Sequence, residues 1–405
     1  MKYWTGYITA AVIGAITWAL MKLAEQFGTL VDMVYPYVSR TLMDVLAQWS
    51  SGVDFCLWQM AAVAFAVIVI AGVVLLIVMK WNPVRWLGWV LAVCSVVYLL
   101  NTLTFGLNYY AGSIAEDIRM ETRAYTVEEL AEAAEYYRDK ANELAALVKR
   151  DANGDVDFDD FETLALQAEN GFDHLVRDRL FPVFAGSTLP VKELGWANMY
   201  TSMGITGFTL GITGEAAVNP QIPDVSLPFT MAHEMAHRMS IAVERDANFA
   251  AFLACAYNED IQYQYSAYFM AYRYCYNALA SIGIAETAVL TGRVSAGVCE
   301  ELQHDMDAYN AFFKEKKDDK ATELANTVND TYLKTSGDTA GVASYGAVCD
   351  LLVNWHYQEV VLPAQIVEEE PFDPFDESQV DLSGNANAKI ETATEPAAET
   401  EGGEG

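Results

Sequence analysis

Basic residues are scarce: 24 Lys and Arg stand against 55 Asp and Glu in 405 residues, a formal net charge of −31. That balance excludes nucleic acid as the partner, and any anionic surface that a basic patch would have to grip. Cysteine is sparse as well. The six, at 56, 94, 255, 275, 299 and 349, include no CxxC pair, which excludes a zinc ribbon and a dense disulfide framework. Buried free thiols are the simplest reading, with Cys255–Cys275 and Cys299–Cys349 as the bridges to weigh against it. Histidine is rarer still, with five in the chain. Charge is missing altogether from three long stretches of the first quarter.

Those stretches are Tyr3 to Met21, Phe55 to Met79, and Trp86 to about Leu107. Each reaches the roughly 20 apolar residues needed to cross about 30 Å of hydrocarbon. The first could instead be a signal peptide, but no small-x-small cleavage site follows it. Between the second and third runs lies KWNPVR, with Lys80 and Arg85 flanked by Trp81 and Trp86. Three passes put this loop on the same side as Lys2, and the positive-inside rule makes that side cytoplasmic. The segment after the first run carries Glu25, Asp32, Asp44 and Asp54 beside Lys22 and Arg40, which suits the opposite side. Everything after the third run is then expected to be extracytoplasmic, and a lipid bilayer is the first expected partner.

Beyond Thr126 the patterning becomes that of a water-soluble helical body. Thr126 and Glu129 form a capping box; Leu130, Ala134, Tyr137, Ala141, Leu144 and Val148 follow at helical spacing. Then comes DANGDVDFDDFE. Asp151, Asn153, Asp155, Asp159 and Glu162 fall on positions 1, 3, 5, 9 and 12 of a calcium loop. Val156 stands where that loop needs glycine, so Ca2+ binding competes with a plain solvated acidic loop. Residues 204–228 are rich in Gly and Pro with β-type residues between, implying one or two short strands. From 366 to 405 the chain is acidic with little to bury, the composition of a disordered tail.

The stretch TMAHEMAHRMSIAVERDANFAAF, residues 230–252, carries the chemistry. With Thr230 as N-cap, His233 and His237 are neighbours on one helical face, about 5–6 Å apart at Cβ. Two imidazoles so placed can converge on one zinc ion at roughly 2.0–2.1 Å. Glu234 stands beside them as a general base for water rather than as a ligand. A histidine followed by an acid, with a second histidine four on, has a chance expectation of about 0.007 in this composition. Catalytic zinc takes three protein ligands, and Glu244 is the nearest candidate for the third. A continuous helix would carry Glu244 out of reach, so a turn near Met239–Ile241 must return it. A second helix would then place Glu244, Ala247, Asn248 and Ala251 on one face, with Asn248 able to hydrogen-bond a ligand. Asp246, Glu259, His174, His304 and His356 remain as alternatives for the third ligand.

HEMAH followed by ERDAN resembles the zincin metallopeptidases of the glutamate-ligand kind, whose second helix reads E-x-x-A-D. Glu244 matches their ligand glutamate, and Asn248 stands where their histidine-orienting acid would be. More of the chain is similar to an uncharacterised bacterial family of three-pass membrane proteins, domain of unknown function 3810. The similarity rests on GITGEAAVN (211–219), ERDANFAAFLAC (244–255) and TYLKTSGDTAGVASYG (331–346). Ser240 departs from the glycine expected at the turn. The resemblance implies an α+β, mainly helical protein of the bacterial cytoplasmic membrane. Three transmembrane helices (1–107) would precede an extracytoplasmic zincin-like metallopeptidase domain with a small edge sheet (108–365).

On this reading Zn2+ is the cofactor and a peptide or protein the substrate, with those of the cell envelope among the candidates. Strand 207–218 would run above the site either as a substrate-pairing edge or as a structural hairpin. Tyr345 or Tyr332 would donate to the oxyanion. The rival reading is a non-catalytic membrane sensor or binding protein on the same scaffold, which has no use for Glu234 as a base. A peptidase cutting within the bilayer fits poorly with Arg238, Glu244, Arg245 and Asp246 around the motif.

Overall fold

The computed structural model describes residues 3–368 apart from 187, 339 and 341–346. Two compact units divide the chain, Met1–Val361 and Leu362–Gly405. The expected tail from 366 onward therefore lies outside the described residues but for the end of a helix, Leu362–Glu368.

Among the described residues three helices are long and apolar enough to cross a membrane: α1 (Thr5–Gln26), α3 (Leu57–Val78) and α4 (Pro83–Thr104). Between the first two lies α2 (Gly28–Ser50), joined to α1 through the single residue Phe27. Helices α1 and α4 run the same way. Gly6 sits against the backbone of Gly88 so closely that a Cβ would overlap it, and Tyr98 Oη meets Met21 Sδ at 3.7 Å near the other end. Close backbone approach at small residues is how helices associate where lipid removes the hydrophobic drive. Helix α3 runs opposite, with Gly72 under the Trp86 indole. The third span starts at Pro83 rather than Trp86. Asn82 Oδ1 accepts from Arg85 N at 3.0 Å, and proline in the first turn loses no hydrogen bond. It also ends earlier than the apolar run, because the chain turns at Phe105 into a 3-10 segment, Gly106–Tyr110.

The body begins with a one-turn helix, α5 (Ile114–Asp117), then α6 (Val127–Ala145) and α7 (Phe161–Arg177). The Thr126–Glu129 capping box forms as expected, with Glu129 N to Thr126 Oγ1 at 3.2 Å and Thr126 N to Glu129 Oε2 at 2.7 Å. Leu130, Ala134, Tyr137 and Ala141 are buried in the main core. A short helix, α8 (Ala197–Ser202), precedes the hairpin strands. Beyond them come α9 (Leu227–Arg238), α10 (Glu244–Ala256) and α11 (Ile261–Ser281).

Three strands form one small sheet: β1 (Lys192–Glu193), β2 (Gly207–Leu210) and β3 (Glu215–Val218). Their order is β1-β3-β2, with β1 parallel and β2 antiparallel to the central β3. The sequence pattern implied one or two short strands within 204–228, with a hairpin as one of two readings of 207–218, but not β1, whose two residues carry no periodic signal. Strand β3 is wholly buried, and Ala216 and Val218 join Met231, Ala232 and Met235 of α9 in the core. Neither disulfide pairing considered from spacing forms. Cys275 and Cys349 are the pair brought together, as buried thiols 3.7 Å apart.

Candidate metal centre

Helix α9 starts three residues before the expected N-cap. Pro228 occupies its first turn, where a missing N–H costs nothing, and the Thr230 hydroxyl donates to Ser226 O at 2.9 Å from inside the helix. Its end falls where the sequence required it. Arg238 is the last residue, and Ser240 takes a left-handed conformation at φ 73°. That is the position at which glycine was expected, and the serine hydroxyl lies 3.1 Å from Ser39 Oγ of α2. Arg40, also on α2, fastens the turn by donating to Met239 O at 3.2 Å, Pro182 O at 3.1 Å and Ala185 O at 3.0 Å. The reversal makes Glu244 the first residue of α10.

His233 Nε2, His237 Nε2 and Glu244 Oε2 then meet. The edges of their triangle are 3.1 Å between the imidazoles and 3.2 and 3.4 Å to the carboxylate. A tetrahedral site with 2.0–2.1 Å metal–ligand distances has edges of about 3.3 Å, so the spacing fits a zinc-sized ion. His237 Nδ1 lies 2.8 Å from Ile241 O. A carbonyl can only accept, so Nδ1 donates; in the neutral imidazole Nε2 then carries the lone pair facing the centre, the usual arrangement for a metal-binding histidine. Glu244 Oε2 is buried with only the two imidazole nitrogens near it and no well-formed hydrogen bond, an arrangement that a bound cation would satisfy. Among the described residues this is the one group of three or more His, Cys, Asp or Glu able to hold a metal. His233, Glu234, His237 and Glu244 are 9%, 4%, 7% and 6% exposed.

Burial and charge set the protonation of the cluster. Burial opposes an imidazolium at His237, but the Glu244 carboxylate, with Glu234 and the Ile241 carbonyl, outweighs it and raises the group to about 9. Burial pushes Glu244 up, and the two imidazoles more than offset this, holding it well below the carboxylate range. Glu234 is raised, chiefly by burial, with His233, His237 and Thr209 pulling it partly back.

Two neighbours of Glu234 were not legible in the sequence. The Thr209 hydroxyl of β2 lies 2.6 Å from Glu234 Oε2 and 3.0 Å from its carbonyl oxygen. Gly207 lies so close that a Cβ would overlap Glu234 Oε1. Strand β2 thus touches the carboxylate with one residue and makes room for it with another. In a Gly207→Ala protein the added Cβ would force the Glu234 carboxylate to shift.

The remaining sequence candidates are placed as follows. Asn248 is buried on α10, with Tyr274 Oη 3.3 Å from its Oδ1. Asp246 does not join the cluster; its carboxylate accepts from Ile114 N at 3.0 Å and from Arg245 Nε at 2.8 Å, tying α5 to α10. His174 pairs with Glu259, and His356 stacks on Tyr136, all away from the centre. Tyr332 hydrogen-bonds Asn101 and is separated from His237 by the rings of Tyr109 and Phe105. Tyr345 lies outside the described residues.

The 151–162 loop does not gather its carboxylates. Asp151 Oδ1 accepts from Asn153 N and Asp155 N at 2.8 and 3.0 Å. Asp155 meets His304 at 2.8 Å, Asp159 accepts from Gln262 at 2.8 Å, and Glu162 sits in the first turn of α7. With valine rather than glycine at its sixth position, the loop closes as a side-chain-capped turn whose acids point to separate partners.

Fold and site together define a mainly helical protein with three helices of membrane-spanning length and one buried two-histidine, one-glutamate cluster. The chain belongs to the family described as "Protein of unknown function (DUF3810)", whose model matches residues 31–353. No curated protein and no solved structure matches the chain.

Proposed function

We propose that this protein is a membrane-anchored zinc metallopeptidase of zincin-like design, with His233, His237 and Glu244 as metal ligands and Glu234 as the general base. The observation that carries this reading is the 3.1–3.4 Å triangle of His233 Nε2, His237 Nε2 and Glu244 Oε2, with the buried Glu234 carboxylate on the same helix beside it. A bound zinc ion would supply a water of pKa near 7 and polarise the scissile carbonyl. The chain's own part is proton movement. Glu234, raised by burial, accepts the proton of the attacking water and delivers it to the leaving amine. Thr209 holds the carboxylate in position throughout. Strand β2 lies at the sheet edge beside Glu234, where a substrate backbone could add as a further strand. The placing of Lys80 and Arg85 between α3 and α4 supports an extracytoplasmic site by the positive-inside rule, and the membrane we propose is the bacterial cytoplasmic one.

The non-catalytic rival would keep the metal and dispense with the base. Burying Glu234 against Gly207 and Thr209 makes little sense for a binder, because a buried carboxylate is destabilising unless used. Elemental mass spectrometry of the purified full chain, alone and with His233→Ala, tests the metal directly. One zinc per chain, lost in the variant, is expected; no metal after zinc supply would end the proposal.

A pH dependence follows. With His237 raised to about 9 in the metal-free cluster, its proton must leave before zinc can bind. Apparent zinc affinity should therefore climb about tenfold per pH unit up to about pH 9 and level off above it. Competition with a chromophoric chelator across that range would read the slope, and a flat profile would rule out proton competition at His237.

A further inference from the structure

Helix α2 is amphipathic the wrong way round for a helix at a protein–water boundary. Its three charged residues are Asp32, Arg40 and Asp44, and none of them is on the exposed face. Asp32 Oδ1 accepts from Gly112 N at 2.7 Å, and Arg40 is buried on the three carbonyls described above. Outward at helical spacing stand Leu30, Met33, Val34, Tyr37, Val38 and Trp49, each at least half exposed. An apolar stripe of this length left in water is unfavourable, because apolar surface is driven out of water in proportion to its area.

What covers the stripe is indicated by where α2 is fastened. Its first turn follows Gln26, the last residue of α1, after one residue. Its middle is bound to the end of α4, by Tyr35 Oη to Thr102 O at 3.0 Å and Ser39 Oγ to Thr104 O at 2.6 Å. Its last residue, Ser50, accepts through its carbonyl from Lys192 Nζ at 2.8 Å. The same ammonium pairs with Glu215 at 2.8 Å, and Glu215 caps the start of α3 by accepting from Leu57 N at 2.8 Å and Trp58 N at 3.0 Å. All three fastenings are at span ends on one side of the membrane. A 23-residue helix is about 34 Å long, so one tied at both ends and in the middle to that level must lie along it.

We infer that α2 is an in-plane helix whose exposed stripe is seated in the lipid surface, with Tyr37 and Trp49 as interfacial aromatics. This rests on the reading of α1, α3 and α4 as membrane spans. It ties the metal centre to the bilayer surface, because Arg40 and Ser39 of α2 hold the turn that follows His237, and Phe105, just past the end of α4, packs on the His237 ring at 6.0 Å. The attraction is apolar, so it is not in conflict with the acidic charge of the chain.

The test is photocrosslinking of the full chain reconstituted in phosphatidylcholine and phosphatidylglycerol vesicles. p-Benzoylphenylalanine is placed singly at Val34, Val38 or Val45 of α2, at Val67 or Ile70 of α3, and at the exposed Val289 (72%) of the body. Intact mass after illumination is expected to show one added phospholipid at the α2 and α3 positions and none at Val289. Adducts at α3 without adducts at α2 would overturn the in-plane helix and leave the spans standing. A covalent dimer from the α2 positions would identify a second copy of the chain as the occupant and overturn the lipid assignment. Absence of lipid from α3 as well would overturn the spans on which the inference rests, and adduct yields at α2 no higher than at Val289 would overturn the seating of α2 in lipid.

Discussion

Glu234→Gln is expected to lower peptide hydrolysis about 10²–10⁴-fold, the usual contribution of a positioned base, while zinc content stays at one per chain. The substitution is nearly isosteric. The amide oxygen can still accept from Thr209, which lies 2.6 Å from Glu234 Oε2, and the flat group still fits above Gly207. Packing and the ligand triangle are therefore preserved, and basicity alone is lost. Turnover of a fluorogenic peptide mixture by the full chain, beside elemental mass spectrometry of the same sample, separates the two effects. Undiminished turnover would remove Glu234 from the mechanism. Loss of zinc together with turnover would make it a structural neighbour of the metal rather than the base.

His237→Ala and Glu244→Ala should each weaken zinc binding by more than about 100-fold, the upper end of what loss of an outer partner costs. Each removes one corner of the 3.1–3.4 Å triangle. Glu244 matters twice, since its carboxylate is also what raises His237. In the Glu244→Ala protein the steep pH dependence of any residual zinc binding should flatten. Glu244→Gln, which keeps the shape and the buried contacts, separates ligand loss from local collapse. Full zinc occupancy in Glu244→Ala after dialysis would move the third ligand elsewhere and undo the reading of the turn at Ser240.

The two histidines and the glutamate between them were legible because a helix fixes i and i+4 on one face whatever surrounds it. The return of Glu244 was legible by a subtler route: a third ligand seven residues on demands a reversal, and Ser240 makes it at φ 73° without the expected glycine. Serine at a left-handed position is disfavoured by about 1–2 kcal/mol, and here α2 meets it through Ser39 and Arg40, some 200 residues away in sequence. No local rule could supply that. Asp246 was a fair alternative ligand on spacing alone, and it was removed by its bond to the backbone of Ile114. The acidic loop failed in the same way. Spacing can propose convergence, but His304 and Gln262, distant in sequence, decide which acids turn where.

Periodicity foreshadows helix α2 as well. Leu30, Met33, Val34, Tyr37 and Val38 have the 3- and 4-residue spacing of a helix face. Its orientation could not be read in any case, since the pattern of an amphipathic helix is the same whether its apolar side meets a core or lipid.

The sequence by itself determined the features that depend on neighbours along the chain. Three apolar runs of spanning length, the capping box at Thr126 and Glu129, and the HEMAH face are set by composition and helical geometry within some twenty residues. The tertiary structure alone decided the features that depend on strangers in sequence. Gly207 and Thr209 fix the carboxylate of Glu234, Ile241 selects the His237 tautomer through a backbone carbonyl, and Glu215 and Lys192 tie the sheet to the start of α3. The physical reason is range. Helical propensity, capping and hydropathy act over one or two turns, whereas steric exclusion, hydrogen bonding and desolvation act on whatever folding brings within a few ångströms.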